Sequence, residues 1–464
     1  MTNKAKILYP YGMMKKRAWL ILLVGLLIAG GLFSQEAYKD LDIFAETFSL
    51  VRNEFVDPSK IEVKPLMYGA IRGMLATLND PFTRFMEPEK SQEMQTELSG
   101  SFGGLGITIT IKDDKLMVVS PLEDTPAYKA GIKAEDWISE IEGTSTKGIT
   151  IDEAVKKLRG PKGTQVTITI IRKSEANPLT FTLTRDIIKI KSVKSEIIDD
   201  ETAYIRITSF NNNTINELSE VISKLQEKNP EYIIVDLRNN GGGTLQAALG
   251  VSSRFLSTGA LVVSTKGREG TGEIRYVAEN DSQKITGNVI VLVNEGSASG
   301  AEILAGAIKD NKRGFLLGKK TFGKASVQTV HNLSDGSAIA LTTAHYYTPG
   351  GFLIHEKGIE PNVTVEQEQF SEERRKEIEK LQTGTYTEGF INKHNPYTED
   401  DLKQFIEELK KAKVNVERRD VLRDITFKLR KAEGKPDPLV DIYYDTQLLR
   451  ALELFHASKF FAKK

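Results

Sequence analysis

Val289-Ile290-Val291-Leu292-Val293-Asn294-Glu295-Gly296-Ser297-Ala298-Ser299-Gly300-Ala301-Glu302-Ile303-Leu304-Ala305-Gly306-Ala307-Ile308 decides how this chain folds around its chemistry. The apolar run 289–293 reads as a buried strand, and from Glu302 onward the apolar residues take helical spacing. The serines therefore sit on a strand-to-helix turn. A hydroxyl there faces unpaired backbone N–H groups and the positive end of a helix, which favour developing negative charge, the electrostatic requirement of acyl transfer.

Downstream, Thr321-Phe322-Gly323-Lys324-Ala325-Ser326-Val327-Gln328 places a lysine 25 positions after Ser299. Lysine becomes a general base only when burial or nearby positive charge destabilises its ammonium form by roughly 2–3 pKa units. Phe322, Gly323, Ala325 and Val327 surround Lys324 with apolar or side-chain-free positions, unlike Lys319 and Lys320 before it. On spacing alone two readings stay open: a nucleophile with its base, or a helix N-cap and a Gly-Lys turn.

Upstream, Tyr232-Ile233-Ile234-Val235-Asp236-Leu237 reads as a strand, Arg238-Asn239-Asn240-Gly241-Gly242-Gly243 as a tight loop, and 244–256 as a helix. Two nucleotide-binding decoys fail. Three adjacent glycines do not give Gly-x-Gly-x-x-Gly spacing. Gly318 to Ala325 matches a phosphate loop except at its last position, where Ala325 cannot ligate magnesium and a strand pattern follows.

Gly-Ser-Ala-Ser before Glu302, Thr-Phe-Gly-Lys and Val327-Gln328 together resemble the carboxyl-terminal processing peptidases, or tail-specific proteases. The resemblance implies Ser299 as nucleophile, Lys324 as base and Gln328 as the residue holding the lysine. Asp236 to Gly243 is similar to the family's Asp-Leu-Arg-x-Asn-x-Gly-Gly loop, which implies an oxyanion hole from a Gly242 or Gly243 amide together with Gly300. Gly300 and Ala301 depart from the family's usual Ser-Ala-Ser-Ala-Ser-Glu, but only a backbone amide is asked of Gly300. The turn Asp80-Pro81-Phe82-Thr83-Arg84 resembles the family's Asp-Pro-His-Ser with histidine replaced. Residues 338–351 and Lys357-Gly358-Ile359-Glu360-Pro361 resemble its later cleft-shaping motifs.

Residues 97–186 resemble a PDZ domain, with Phe102-Gly103-Gly104-Leu105-Gly106-Ile107 as its loop, 107–111 as the groove strand, and helices at 126–132 and 151–158. Exposed loop amides at Gly104, Leu105, Gly106 and Ile107 would capture a peptide carboxylate while the strand edge pairs with the peptide backbone. Ala154, Val155 and Leu158 would line the other wall, suiting a hydrophobic tail. Arg159 is read as an ordinary helix-terminal cation, the alternative being contact with an acidic group of the catalytic domain.

The 464 residues contain no cysteine, which excludes a cysteine nucleophile and a disulfide-built fold. Lys plus Arg equals Asp plus Glu at 63 each, so no charge excess argues for nucleic acid. Lys15-Lys16-Arg17 precede an apolar stretch from Ala18 to Phe33, read as a cleaved signal or an uncleaved anchor. Either carries the following chain across a membrane. No His/Asp/Glu cluster has metal-ligand spacing. A Ser-His-Asp triad through His331 or His345 ranks below the lysine dyad.

The expectation is a mixed α/β multidomain chain: a signal or anchor (1–35), N-terminal helices (36–96), a β-sandwich-like PDZ domain with two helices (97–186), an α/β serine-peptidase core (187–370) and C-terminal helices (371–464). Leu41, Phe44, Phe48, Val51 and Phe55, then Leu66 to Leu78, form the first apolar helix faces. The C-terminal helices carry no motif and read as solvated helices with an apolar packing face, oligomer contact being the second reading. The implied activity is an extracytoplasmic serine endopeptidase, periplasmic or on the cell-envelope side, without metal or cofactor. It would capture protein C-termini, and some relatives need an adaptor lipoprotein. The competing hypothesis is a non-catalytic PDZ scaffold.

Overall fold

The computed structural model describes residues 41–122, 124–269, 272–279 and 283–462, with side chains as far as Lys459. The segment 18–33, read as a signal or anchor, lies outside the described residues. Among the described residues no helix is long and apolar enough to cross a membrane. Two compact units divide at Asn79/Asp80. The first contains helices at 41–54 and Val63–Ala76, as the periodicity predicts. Residues 80–96, assigned from sequence to this helical segment, belong instead to the second unit, where Arg84–Met86 pairs antiparallel with Ala338–Tyr347.

In the second unit, the sheet that carries the peptidase motifs runs in chain order: Val193–Ile197, Thr202–Ile207, Tyr232–Asp236, Asn288–Val293, Gly314–Gly318, Val363–Thr364. All pairs except the first are parallel. Right-handed crossovers stepping in one direction place their helices on one face. Helices Thr214–Lys228, Leu245–Phe255 and Gly300–Asp310 indeed bury Ile205, Val235 and Val291 there. The opposite face, bearing Tyr204, Ile234 and Leu292, would be bare. The last helix, Thr446–Ala462, covers it with Leu448, Ala451 and Phe455. Burial on both faces explains why these strands read as continuous apolar runs.

Helices between 372 and 432 close on a core of their own around Leu381, Phe390, Leu402, Phe405 and Val421. An antiparallel sheet of Arg84–Met86, Leu261–Gly267, Glu273–Val277, Ser326–Asn332 and Ala338–Tyr347 lies beyond the parallel one, and Lys324 stands at the head of its fourth strand. That strand, rather than a helix, follows the false phosphate loop.

The PDZ region has strands Ile107–Lys112, Lys115–Pro121, Trp137–Ile141, Gln165–Ile171 and Leu179–Thr184, with helices Pro126–Lys129 and Ile151–Leu158. Thr150 and Glu153 form a capping box at the longer helix, so its start is set locally. Phe102, Gly103 and Gly104 are not a loop: Ser101–Gly104 is a strand paired with Asp186–Lys189. Gly103 serves close approach, since a Cβ there would fall 2.0 Å from the Gly160 carbonyl oxygen. The loop shrinks to Leu105 and Gly106, whose carbonyls accept from Ala127 and Leu122. Ile107 half-buries its side chain on the edge strand, whose open edge faces the longer helix with Ala154 and Leu158 buried and Val155 half-buried. Arg159 meets no acidic group among the described residues; its guanidinium lies 4.3 Å from the Phe102 ring centre.

Candidate active site

The site lies at the carboxyl ends of Tyr232–Asp236 and Asn288–Val293, where the parallel strands deliver two loops side by side. Those loops are stitched together. Asn239 and Asn294 bond reciprocally at 2.8 and 2.9 Å, Ser297 Oγ donates to the Leu237 carbonyl at 2.8 Å, and Ala298 N donates to the Asn240 carbonyl at 2.9 Å.

The two serines thereby separate by role. Ser297 is fully buried, and its hydroxyl donates to Leu237 while accepting the Asn294 N–H at 3.0 Å. Ser299 is half-exposed, and with Glu302 it forms a capping box at the start of Gly300–Asp310. Its backbone adopts φ 54°, ψ −113°, a conformation that costs a non-glycine residue about 1–3 kcal/mol and persists only where its surroundings impose it.

What imposes it is Glu302, three residues on and fully buried. Its Oε2 accepts the N–H of Ser299 at 2.9 Å and of Lys324 at 2.8 Å, while Oε1 accepts Gly323 N at 2.7 Å and Thr321 Oγ1 at 2.6 Å. Burial pushes the Glu302 carboxyl above its ordinary range, against the downward pull of those four donors. The Tyr346 hydroxyl donates to the carbonyls of both Ser299 and Lys324. Burial first, then the Glu302 charge, keeps the phenol protonated and therefore a donor. Ser299 and Lys324 are thus fixed to each other through both N–H and both C=O groups. Ser299 Oγ and Lys324 Nζ share no hydrogen bond in this structure, the looser geometry common before substrate arrives.

Lys324 is half-buried. Burial, and then the Arg84 guanidinium, hold its ammonium below the ordinary lysine range, with Asp80 opposing. The Phe82 ring centre lies 5.0 Å from Nζ. Asp80 shapes this turn by accepting Phe82 N at 3.1 Å and Thr83 Oγ1 at 2.6 Å. Gln328 does not hold Lys324: its amide donates to the Phe82 carbonyl at 2.7 Å, so its reach goes to the turn that walls the lysine. His355 packs against Phe82 and His345 against His355, at ring separations of 5.9 and 4.9 Å, while His331 is exposed. None of the three bonds to Ser299.

Gly242 touches the Ser299 turn: a Cβ there would lie 2.7 Å from Gly300 N and from Ser299 Cβ. Its own N–H is not available for an oxyanion, because it donates to Asn240 Oδ1 at 2.8 Å. The amides of Gly243 and Gly300 have no acceptor among the described residues. The same residues contain no group of three or more His, Cys, Asp or Glu placed to hold a metal.

Sequence reading named Glu302, Tyr346 and the Phe82 turn only as parts of family motifs and gave none of them a role at the site. Ser299-x-x-Glu302 has capping-box spacing, which could have exposed the Glu302 to Ser299 N bond. No local signal joins Tyr346 or residues 80–84 to the site.

Comparison with known proteins gives the family. Residues 201–365 match the model of peptidase family S41, 117–172 a PDZ domain, and 31–90 the N-terminal domain of the activating protease CtpB. A carboxy-terminal-processing protease of Bartonella bacilliformis is 42% identical over 72% of this chain and 76% of its own length. A carboxyl-terminal-processing protease of Synechocystis is 37% identical over 72% and 78%. Among solved structures, a photosystem II D1 C-terminal processing protease is 32% identical, covering 70% of this chain and 92% of that one, with a TM-score of 0.42. Fold and site define a PDZ-containing α/β protease. The chain belongs to the carboxy-terminal processing proteases of peptidase family S41.

Proposed function

We propose that the chain is a serine endopeptidase that captures the C-terminal region of protein substrates in its PDZ groove and cleaves through a Ser299–Lys324 dyad. The observation that supports this most is the single Glu302 oxygen holding the backbones of both residues. Ser299 Oγ attacks the scissile carbonyl carbon as Lys324 Nζ takes its proton. The tetrahedral oxyanion is met by the Gly300 and Gly243 amides. Collapse breaks the C–N bond, and Lys324 returns the proton to the leaving amine, leaving an acyl-enzyme. Water then attacks, gives a proton to Lys324, and the acid departs as Ser299 Oγ is reprotonated.

The basic and apolar sequence at 15–33 supports a location on the far side of a membrane, secreted or anchored, facing periplasmic or other envelope proteins. An adaptor lipoprotein and a homo-oligomer fit the same reading. The test is degradation of an unfolded protein with an apolar C-terminus by the chain lacking residues 1–35, beside Ser299→Ala and Lys324→Ala. Loss in both variants is expected. Cleavage surviving Lys324→Ala moves the base elsewhere, and binding without cleavage by the wild type favours the scaffold.

A further inference from the structure

Arg238 directly precedes the Asn239–Gly243 loop, and its guanidinium is shared between two carboxylates from opposite ends of the catalytic unit. Nε and Nη2 donate to Asp236 at 2.9 and 2.7 Å; Nη1 and Nη2 donate to Asp445 at 2.8 and 2.6 Å. Gln447 Oε1 accepts from Nη1 at 3.2 Å. Asp236, fully buried, also receives the Tyr204 hydroxyl at 2.5 Å and Arg206 Nη1 at 3.0 Å. Two cations and two anions balance. Without Asp445, a buried guanidinium loses one of its two carboxylates and the cluster gains a net positive charge, a costly state in a desolvated place.

We propose that Asp445 is a positioning residue for the oxyanion loop. It stands 207 positions after Arg238 and outside the matched peptidase region, which ends at 365. The inference rests on the serine peptidase reading above. Arg238 sits between Leu237 and Asn239, the two residues whose bonds to Ser297 and Asn294 stitch the glycine loop to the nucleophile turn. Asp445 clamps the far end of the Arg238 side chain and also begins the helix that covers the sheet, accepting Leu448 N at 3.0 Å. The C-terminal helix therefore braces the loop that carries Gly243, as well as closing a bare sheet face.

The test is Asp445→Asn in the full chain, because asparagine caps a helix as well as aspartate but leaves Arg238 without its second anion. A kcat per folded molecule lower by about tenfold or more is expected, with KM near wild type, a lowered Tm and partial recovery of both in Asp445→Glu. Labelling of Ser299 by a fluorophosphonate, which needs the oxyanion site but not the PDZ groove, slows by a similar factor. Unchanged kcat and labelling overturn the proposal. So does a fall in Tm with unaltered turnover per folded molecule, counted by labelled Ser299. Should Asp445→Asn not fold, Gln447→Leu, which removes a weaker bond to the same guanidinium, must show a smaller kcat loss of the same kind; an unaltered kcat there overturns the proposal. A wild type that neither cleaves nor labels refutes the serine peptidase reading itself.

Discussion

Ser299 and Lys324 hang by their amides from one oxygen of Glu302, at 2.9 and 2.8 Å. The strained Ser299 turn and the loop bearing Lys324, which leads into another sheet, are thereby held to a common point. Rigid placement of reacting groups is worth several kcal/mol of barrier, and a misplacement of 1 Å can cost about 100-fold.

Glu302→Gln keeps the size of the side chain but turns an NH2 group toward N–H donors. We expect kcat to fall about 10- to 100-fold and stability to drop by about 3 kcal/mol, since at least one buried donor loses its acceptor. Steady-state kinetics with denaturant unfolding of the same preparation checks both. An unaltered kcat would show that the shared carboxylate does not set the dyad.

The pH profile follows from Lys324. Its ammonium is held below the ordinary 10.5 chiefly by burial and next by Arg84, so the neutral base appears as pH rises and activity should climb to a plateau below that value. Removing the nearby positive charge in Arg84→Ala raises the lysine again and moves the climb to higher pH. A kcat/KM profile flat from pH 6 to 9 in both proteins, with chemistry rate-limiting, counts against Lys324 as base.

Gly242→Ala is a steric test of loop contact. The new methyl would lie 2.7 Å from Gly300 N at a backbone φ of 95° that disfavours any side chain. Proteolysis should fall by about 100-fold or more while a C-terminal peptide binds the PDZ groove unchanged, as read by fluorescence anisotropy.

Val155→Asp puts a carboxylate in the proposed groove wall. KM for a substrate with an apolar C-terminus should rise about tenfold or more, because an unpaired charge is desolvated and faces the peptide carboxylate. Cleavage of a short peptide with a blocked C-terminus should not change, and equal loss on both substrates would deny the groove a role in capture.

Much of the fold was legible because its signals are local. Val289–Val293 and Tyr232–Asp236 are apolar enough to demand burial on both faces, and Thr244, whose hydroxyl accepts Ala247 N at 3.1 Å, marks the following helix start. Phe102-Gly103-Gly104 misled: glycine serves a tight turn and a close backbone approach equally well, and here Gly160 made the difference. Gln328 misled because its partner, Phe82, lies 246 positions away, with nothing local to announce it.

By itself the sequence determined the elements, their order, the PDZ and peptidase regions and the candidate residues Ser299 and Lys324, since period, caps and motif spacing are properties of neighbouring residues. Only the tertiary structure decided which serine is buried, which glycine amide is already spent, that Glu302 and Tyr346 hold Ser299 and Lys324 together, and that Asp445 reaches Arg238. Those are hydrogen-bond assignments between distant segments. Each depends on which group arrives first at a buried partner, and chain folding alone settles that competition.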